Sequence, residues 1–504
     1  MKTNKSALKH YLSASARRRE LVIEQDEEIE LYMMRRRARM REVIIEEEKC
    51  TAKHSKRQRE QSSGFLHVIG EDGKPRIGRP YDSLWWINYV LHPELMTARS
   101  HMLFRKRFRM PFKTWQDFMN DLREDPHFRT WRRGVTDCAG IPSSPIELLV
   151  LGALRYMGRK CTFDCLEELT FVSQRTHERF FQQFITYGGT TLYQIHVVAP
   201  QTPAQAEEHM HEMRMAGFDG TCGSMDATNV TIVNCRYGLR ISHLGKKLNK
   251  TSRTYNIVAN HRRRILSTTG GHPSTWNDKT VVLFDDFLMS IKDGDILSNN
   301  EFILYERDGD GNVVAVTYKG VWIVVDNGYL TWSTTIPPFK RCSLVKELRW
   351  SQWLESMRKD VECTFGILKK RWTILDKGVQ AKKIENADLV WKTCCALHNM
   401  LLDIDGYDEI WQGSIPSDPR HEEESQCFAI RRLNNPVGHA RASQVPQECD
   451  SDNDDFVTGI SVTSRDVRKL SQDAFRSKLV EHFDILFHEH KIVWPKRVKT
   501  PRSV

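Results

Sequence analysis

The sequence predicts an α/β fold for the second half of the chain, preceded by an all-helical domain. Three observations support this prediction. Residues 220–233 contain an alternation of apolar and polar side chains, which is typical of a strand with one buried face. Residues 319–325 (KGVWIVV) form the apolar run expected of a buried central strand. Between Trp350 and Trp372, apolar residues recur three and four positions apart, which predicts a helix with one buried stripe.

The composition favours an intracellular protein with an acidic partner. The 504 residues carry a formal net charge of +10, so nucleic acid is the first candidate partner; a basic protein without such a partner is the alternative. No apolar run reaches the roughly 18 residues of a membrane-spanning helix, so no membrane association is expected. The twelve cysteines are scattered, which favours reduced thiols.

Composition also predicts how the chain is divided. The predicted segments are a charged N-terminal arm, helical or disordered, at 1–61, a linker at 62–82, a helical domain at 83–216, an α/β domain at 217–411, a disordered acidic linker at 412–466 and a C-terminal helix at 467–504. The basic blocks of the arm suit a nuclear-localisation signal or a phosphate-binding tail, and a solvated helix without a partner fits equally well. The C-terminal helix is expected to dock on the main body or on a second subunit.

Three helices are predicted within the helical domain, at 145–157, at 163–169 and from the capping Ser173 to Gly188. This outline is that of a helix-turn-helix, although many all-helical domains share it. Arg175 and Arg179 would be exposed near the start of the recognition helix and would contact DNA.

The α/β domain is predicted to contain two further short strands, at 254–259 and 264–268, and a helix at 279–291. An inserted loop or hairpin is predicted at 292–312. The central strand at 319–325 then ends at Asp326.

Three acids stand out by their positions. Asp226 lies within the first strand, Asp326 follows the central strand, and Glu362 lies on the late amphipathic helix. Carboxylates brought together from two strands and a helix suit two hard divalent ions, and the arrangement is that of a ribonuclease-H-like nuclease core. Taken singly, each acid has an ordinary structural alternative, such as capping a turn or forming an ion pair.

The faces of the late helix outside its apolar stripe are strongly basic and suit DNA phosphates. The basic residues are Arg358, Lys359, Lys369, Lys370 and Arg371. Asp360 lies roughly 200° around the helix from Glu362, so only one of these acids is expected to face the strands, and Val361 in the stripe favours Glu362.

Several motifs resemble the PIF/Harbinger superfamily of transposases and their domesticated relatives. They are GSMDATNV at 223–230, NDKTVV at 277–282, VDNGYLTW at 325–332, RKDVECTFGILKKRW at 358–372 and CCALHNML at 394–401. The resemblance implies a DDE catalytic core in which Asp226, Asp326 and Glu362 are the catalytic and metal-binding acids. It also implies that Asp278 supports the site or the fold. His398 either touches the site or is a satisfied core histidine, and the second role is favoured.

The resemblance further implies a nuclear DDE transposase, or a nuclease derived from one. It would cut DNA phosphodiester bonds and join 3′ ends with two Mg²⁺ or Mn²⁺ ions. The implied partners are DNA at terminal repeats and a target site, a Myb-like accessory DNA-binding protein and a second copy of the chain. A domesticated, non-cleaving DNA-binding or scaffold protein is the alternative. Relatives commonly have Gly-Ile-Tyr-Pro after the second Asp, where this chain has residues 327–330 (NGYL).

Overall fold

The structure is a computed structural model that describes residues 67–69, 73–132, 143–233, 235–245, 250–381, 383–405, 411–413, 459–460 and 464–497. The predicted arm at 1–61 and most of the predicted acidic linker at 412–466 lie outside these residues.

The described chain combines helices and strands, as the α/β prediction required. The helices are α1 Leu84–Trp86, α2 Ala98–Phe108, α3 Phe112–Glu124, α4 Ile146–Arg159, α5 Phe163–Thr170, α6 Gln174–Tyr187, α7 Tyr193–His196, α8 Pro203–Met215, α9 Tyr237–His243, α10 Asp278–Val281, α11 Asp286–Asp293, α12 Val345–Arg371, α13 Thr373–Lys377, α14 Ile384–Ile404 and α15 Gln472–His488. The strands are β1 His67–Ile69, β2 Pro75–Ile77, β3 Thr221–Val233, β4 Ser252–Ala259, β5 Ile265–Thr268, β6 His272–Pro273, β7 Glu301–Arg307, β8 Val313–Lys319, β9 Trp322–Val324, β10 Thr335–Ile336, β11 Val379–Gln380, β12 Trp411–Gly413, β13 Gly459–Ile460, β14 Arg465–Asp466 and β15 Pro495–Arg497.

The three helices predicted between residues 145 and 188 are confirmed as α4, α5 and α6. Ser173 caps α6 as predicted, because its Oγ accepts a hydrogen bond of 3.3 Å from the backbone N–H of Thr176. The phenylalanines of α6 at positions 180, 181 and 184 are buried and pack toward α4 and α14. The helical segment therefore shares a hydrophobic core with the chain that follows it.

The main sheet has the strand order β10-β9-β3-β4-β5, with β11 beside β3 and β6 beside β4. β3 runs antiparallel to β4 and parallel to β9. The predicted strands at 220–233, 254–259 and 264–268 are confirmed as β3, β4 and β5.

The two faces of the sheet bury different cores, as alternate residues of β4 show. Ile257 belongs to the core that α12, α14, α4 and α6 cover. The neighbouring Val258 belongs to the core that α8 and α11 cover. Successive side chains of a strand point to opposite faces, so helices cover the sheet on both sides.

A second sheet, formed by β7, β8, β13 and β14, packs with α15 against a third core. That core also contains Trp322 of β9 and Trp350 of α12. The loop or hairpin predicted at 292–312 is thus a hairpin whose strands extend to Lys319. α15 packs onto this hairpin within the same chain.

Two element predictions were wrong in detail. The helix predicted at 279–291 is interrupted, because the Asp285 carboxylate caps a new helix by accepting a hydrogen bond of 3.0 Å from the N–H of Leu288. The strand predicted at 319–325 is divided between β8 and β9, because Gly320 between them adopts a φ of 115°. The predicted linker at 62–82 contains the β1–β2 hairpin.

Among the described residues, no helix combines the length and the apolar character needed to cross a membrane.

Candidate active site

The sheet brings two of the predicted acids to neighbouring positions. Ser224 of β3 pairs with Val324 of β9 in parallel register. Asp226 lies two residues beyond Ser224 within β3, and Asp326 lies two residues beyond Val324, just after the end of β9. Paired strands are roughly 4.8 Å apart, so the two acids begin from neighbouring positions. α12 packs across β3 and β4 and carries Glu362. The fold thus places all three acids at one region of the α12 face of the sheet.

Arg358 connects Glu362 to Asp226. Its Nη2 donates to Glu362 Oε1 at 2.8 Å and to Glu355 Oε1 at 2.7 Å, and its Nη1 lies 3.6 Å from Asp226 Oδ2. Burial lowers the pKa of the guanidinium. The hydrogen bond with Glu355 and the charges of Glu355, Glu362 and Asp226 raise it by more, so the net shift of the pKa is upward. Arg358 is buried and therefore acts as an internal cation of the acid cluster.

Asp226 is in an unfavourable electrostatic environment for a carboxylate. Burial raises its pKa to about 6, although the hydrogen bond from the Ala227 N–H and the charge of Arg358 lower it. The charges of Asp326 and Glu362 raise it further. Asp326 and Glu362 are therefore both close enough to Asp226 to repel its charge, and this arrangement favours a bound cation.

A glycine allows Asp326 and Asp278 to approach each other. The N–H of Gly328 donates to Asp326 Oδ1 at 2.7 Å. A Cβ at this position would lie 2.9 Å from Asp326 Oδ1 and 3.1 Å from Asp278 Oδ2, so any other residue would crowd both carboxylates. Asp278 lies in the first turn of α10, which Asn277 caps. The structure therefore brings Asp278 beside Asp326.

Tyr329 lies beneath the acids and was missed in the sequence. It is buried, and its hydroxyl donates to Asn256 Oδ1 of β4 at 2.7 Å. Burial raises its pKa well above the usual range, and the charges of Asp226, Asp278 and Asp326 contribute to the same shift. The signal was present in the motif at 325–332, in which Tyr329 follows the Asp and Gly of the site.

The structure buries Asp360 and leaves Glu362 partly exposed, whereas Glu362 was the acid expected to face the strands. Asp360 is buried and pairs with His261 and, at 3.0 Å, with Arg263 of the β4–β5 connection. Glu362 is 46% exposed and lies on the Arg358 side. Asp360 therefore pairs with the loop between β4 and β5, whereas Glu362 pairs with Arg358 of its own helix, as expected of helix positions roughly 200° apart.

The structure separates the predicted DNA-binding residues into two groups. The first group is exposed and consists of Arg175, Arg179, Lys359 and Lys370. The remaining three have partners inside the fold. Besides Arg358, Lys369 Nζ donates to Thr228 Oγ1 at 2.6 Å, and Arg371 lies 3.4 Å from Asp405.

His398 lies apart from the acids. It is fully buried, burial lowers its pKa to about 3, and its Nε2 donates to the Arg263 carbonyl at 3.0 Å. These contacts are those of a neutral core histidine, which was the favoured interpretation.

The donor chemistry of the site fits a hard divalent ion, because its ligands would be carboxylate oxygens alone. Within the described ranges, however, no three acid, histidine or cysteine side chains converge closely enough to hold a metal ion as they stand. Arg358 contacts two of the candidate ligands, Asp226 and Glu362.

Two comparisons show which known proteins this domain is similar to. Residues 225–399 match the family described as DDE superfamily endonuclease, and the match begins one residue before Asp226 and includes Asp326 and Glu362. The chain is also similar to Protein ALP1-like of Arabidopsis thaliana, with 22% identity over 307 residues, which cover 60% of this chain and 71% of that protein. No solved structure matches the chain. The resemblance to a Harbinger-related nuclease is thereby confirmed.

Proposed function

We propose that the chain is a metal-dependent DNA endonuclease of transposase origin, with Asp226, Asp326 and Glu362 as its catalytic acids. The observation that carries this proposal is the placement of Asp226 within β3 and of Asp326 just after the adjacent parallel strand β9, each two residues beyond a paired position, with Glu362 on α12, which packs against β3. A central sheet with helices on both faces supports a ribonuclease-H-like core.

In this proposal the three acids, with Asp278 in support, hold two Mg²⁺ or Mn²⁺ ions. The chemistry supplied by such ions is activation of the attacking water and stabilisation of the leaving oxygen. Asp226 is a fixed ligand, because its backbone hydrogen bond with Ala227 and its burial in β3 restrict its rotation. Tyr329 and Gly328 position the carboxylates, the first by packing beneath them and the second by leaving space between them.

DNA binding is assigned to two exposed basic groups. Arg175 and Arg179 lie on α6, the third helix of the proposed helix-turn-helix, and Lys359 and Lys370 flank Glu362 on α12. We further propose that the protein acts in the nucleus, joins cut 3′ ends to target DNA, and works with a Myb-like partner and a second copy of itself. The sequence motifs support these assignments.

A nicking assay tests the proposal. Linear DNA with candidate terminal repeats is incubated with the full chain in Mg²⁺ and then in EDTA. Cutting is expected in Mg²⁺ only, and Glu362→Ala should reduce it by about 100-fold or more while DNA binding is nearly unchanged. Glu301→Gln removes an exposed carboxylate from β7 and should cut normally.

Retained cutting by Glu362→Ala in Mg²⁺ would contradict the assignment of the acids. Sequence-specific DNA binding by the wild-type chain without cutting in Mg²⁺ or Mn²⁺ would favour the non-cleaving, domesticated alternative.

A further inference from the structure

Arg358 shares its guanidinium among three carboxylates of the candidate site. We propose that Arg358 is a built-in counter-ion that neutralises Asp226 and Glu362 before a divalent ion binds, and that Glu355 retains Arg358 once the ion has taken those two carboxylates. This inference rests on the proposed function and adds a defined metal-free state to it.

The contacts of Arg358 are strongest with Glu355, which would keep the guanidinium, and weaker with Glu362 and Asp226, which would release it when the metal binds. Glu355 receives two hydrogen bonds, from Nε at 3.1 Å and from Nη2 at 2.7 Å. Glu362 receives one, from Nη2 at 2.8 Å, and Asp226 is 3.6 Å from Nη1, beyond hydrogen-bonding distance. A paired, planar contact between a guanidinium and a carboxylate is the strongest of these arrangements. Arg358 therefore has one firm partner that is not a predicted metal ligand.

An arginine does not lose its charge, so the Arg358 guanidinium needs a carboxylate partner after the divalent ion has bound as well as before. The side chain of Arg358 is only 11% exposed, so its charge stays near the site whether or not metal is present. Glu355 is one turn before Arg358 on the same helix and 40% exposed, so it can follow the guanidinium away from Asp226 without leaving its own element.

The charges of the site are also consistent with the exchange. Five carboxylates lie around Arg358 and Gly328: Asp226, Glu355 and Glu362 beside Arg358, and Asp278 and Asp326 beside Gly328. Five negative charges and one guanidinium leave a formal charge of minus four, which the charge of plus four on two divalent ions would balance. Arg358 and two ions can therefore be present together without excess positive charge.

Calorimetric titration of Mn²⁺ into the metal-free chain, without DNA, tests the exchange through a double-mutant cycle. Arg358→Met should bind Mn²⁺ about tenfold more tightly, because the competing cation is gone. Glu355→Gln should bind it severalfold more weakly, because Arg358 then stays on Asp226 and Glu362. In the Arg358→Met background, Glu355→Gln should change the affinity by less than about twofold, because no guanidinium remains to be retained.

Two controls separate this exchange from a general effect of charge. Lys346→Met removes the same charge from the first turn of α12 and should change the Mn²⁺ affinity by less than about twofold. The melting temperature in EDTA should be lower for Arg358→Met than for the wild type and should rise more on addition of Mn²⁺, because the unbalanced carboxylates repel one another. Circular dichroism verifies that each variant is folded.

Unchanged or weaker Mn²⁺ binding by Arg358→Met would overturn the inference, as would an effect of Glu355→Gln that is equal in both backgrounds. If Asp226→Asn abolishes Mn²⁺ binding while Arg358→Met leaves it unchanged, the inference alone fails. If neither Asp226→Asn nor Glu362→Gln alters Mn²⁺ binding, both the inference and the proposed metal site fail.

Discussion

Asp226 shows that the acid cluster is maintained at a cost in stability. Burial and the neighbouring carboxylates raise its pKa from 3.8 to about 6, so the folded chain holds this proton more tightly than the unfolded chain does. For an acid whose pKa is raised by folding, the free energy of unfolding falls as pH rises through the interval between the two values. The loss in the free energy of unfolding is therefore absent below pH 3.8 and reaches its full size above about pH 6.

Asp226→Asn should accordingly stabilise the metal-free protein at neutral pH. The expected gain in the free energy of unfolding is about 1–3 kcal/mol at pH 7.5, and it should shrink toward zero as pH falls to about 4. Urea denaturation in EDTA at a series of pH values measures it.

The matched control is Asp117→Asn, which removes an exposed carboxylate from α3 and should change stability by less than about 0.5 kcal/mol. A gain of equal size at both ends of the pH range would show that Asp226 is not the titrating group.

Single residues also show how far the sequence alone could define the site. Asp226, Asp326 and Glu362 were identifiable, because each follows from an element type and from a motif. The central position of Arg358 could not be identified from the sequence. A basic residue on a basic helix face predicts contact with DNA, and Asp226 lies 132 positions earlier in the chain. Partners distant in the sequence depend on the tertiary packing of α12 on β3, which periodicity does not reveal.

At the scale of elements, helices were predicted more reliably than the ends of strands. α5 and α6 begin at side-chain caps, α4 begins directly after Pro145, and all three have apolar faces, so their bounds are local properties of the sequence. β9 is shorter than its apolar run, because Gly320 turns the chain before Trp322. Strand pairing joins segments that are far apart in the chain. The apolar alternation of a strand predicts which of its faces is buried, but not which strands lie beside it.

Two glycines within helical turns should respond oppositely to the same substitution. A Cβ at Gly366, in α12, meets no atom within 4 Å, so Gly366→Ala should raise the free energy of unfolding by about 0.5–1 kcal/mol through the lower entropy of the unfolded chain. A Cβ at Gly188, just after α6, would collide with the Thr393 side chain of α14. Gly188→Ala should therefore lower the free energy of unfolding by about 1–3 kcal/mol.

Urea denaturation of the two variants provides the comparison. Since Gly188 has a φ of −63°, backbone strain does not contribute to its response, and the contrast isolates packing. Equal effects of the two substitutions would contradict the close contact between the Gly188 region and α14.

At the scale of the whole molecule, the described chain from residue 67 to residue 497 is held together by three cores that share the main sheet. Trp322 and Ile323 are adjacent in β9 and belong to different cores, so that strand connects the C-terminal elements to the α8 side of the sheet. The catalytic Asp326 of the proposal follows this strand by two residues. The position of the site therefore depends on packing far along the chain.

Phe475 of α15 tests this dependence. It is fully buried, and its ring centroid lies 6.5 Å from that of Phe302, 5.9 Å from that of Tyr318 and 6.3 Å from that of Trp322. Phe475→Ala should lower the free energy of unfolding by about 3–5 kcal/mol, since it leaves a cavity between α15, the β7–β8 hairpin and β9. Because β9 joins two cores, calorimetry should show one cooperative transition at a lower temperature rather than separate melting of α15.

Ser477→Ala, two positions later on the exposed side of α15, should change stability by less than about 0.5 kcal/mol and controls for changes in helix propensity. Two resolved transitions in Phe475→Ala, with the second at the wild-type temperature, would mean that α15 folds independently of β9. A single shifted transition would instead show that a side chain 149 positions from Asp326 contributes to the strand that holds it.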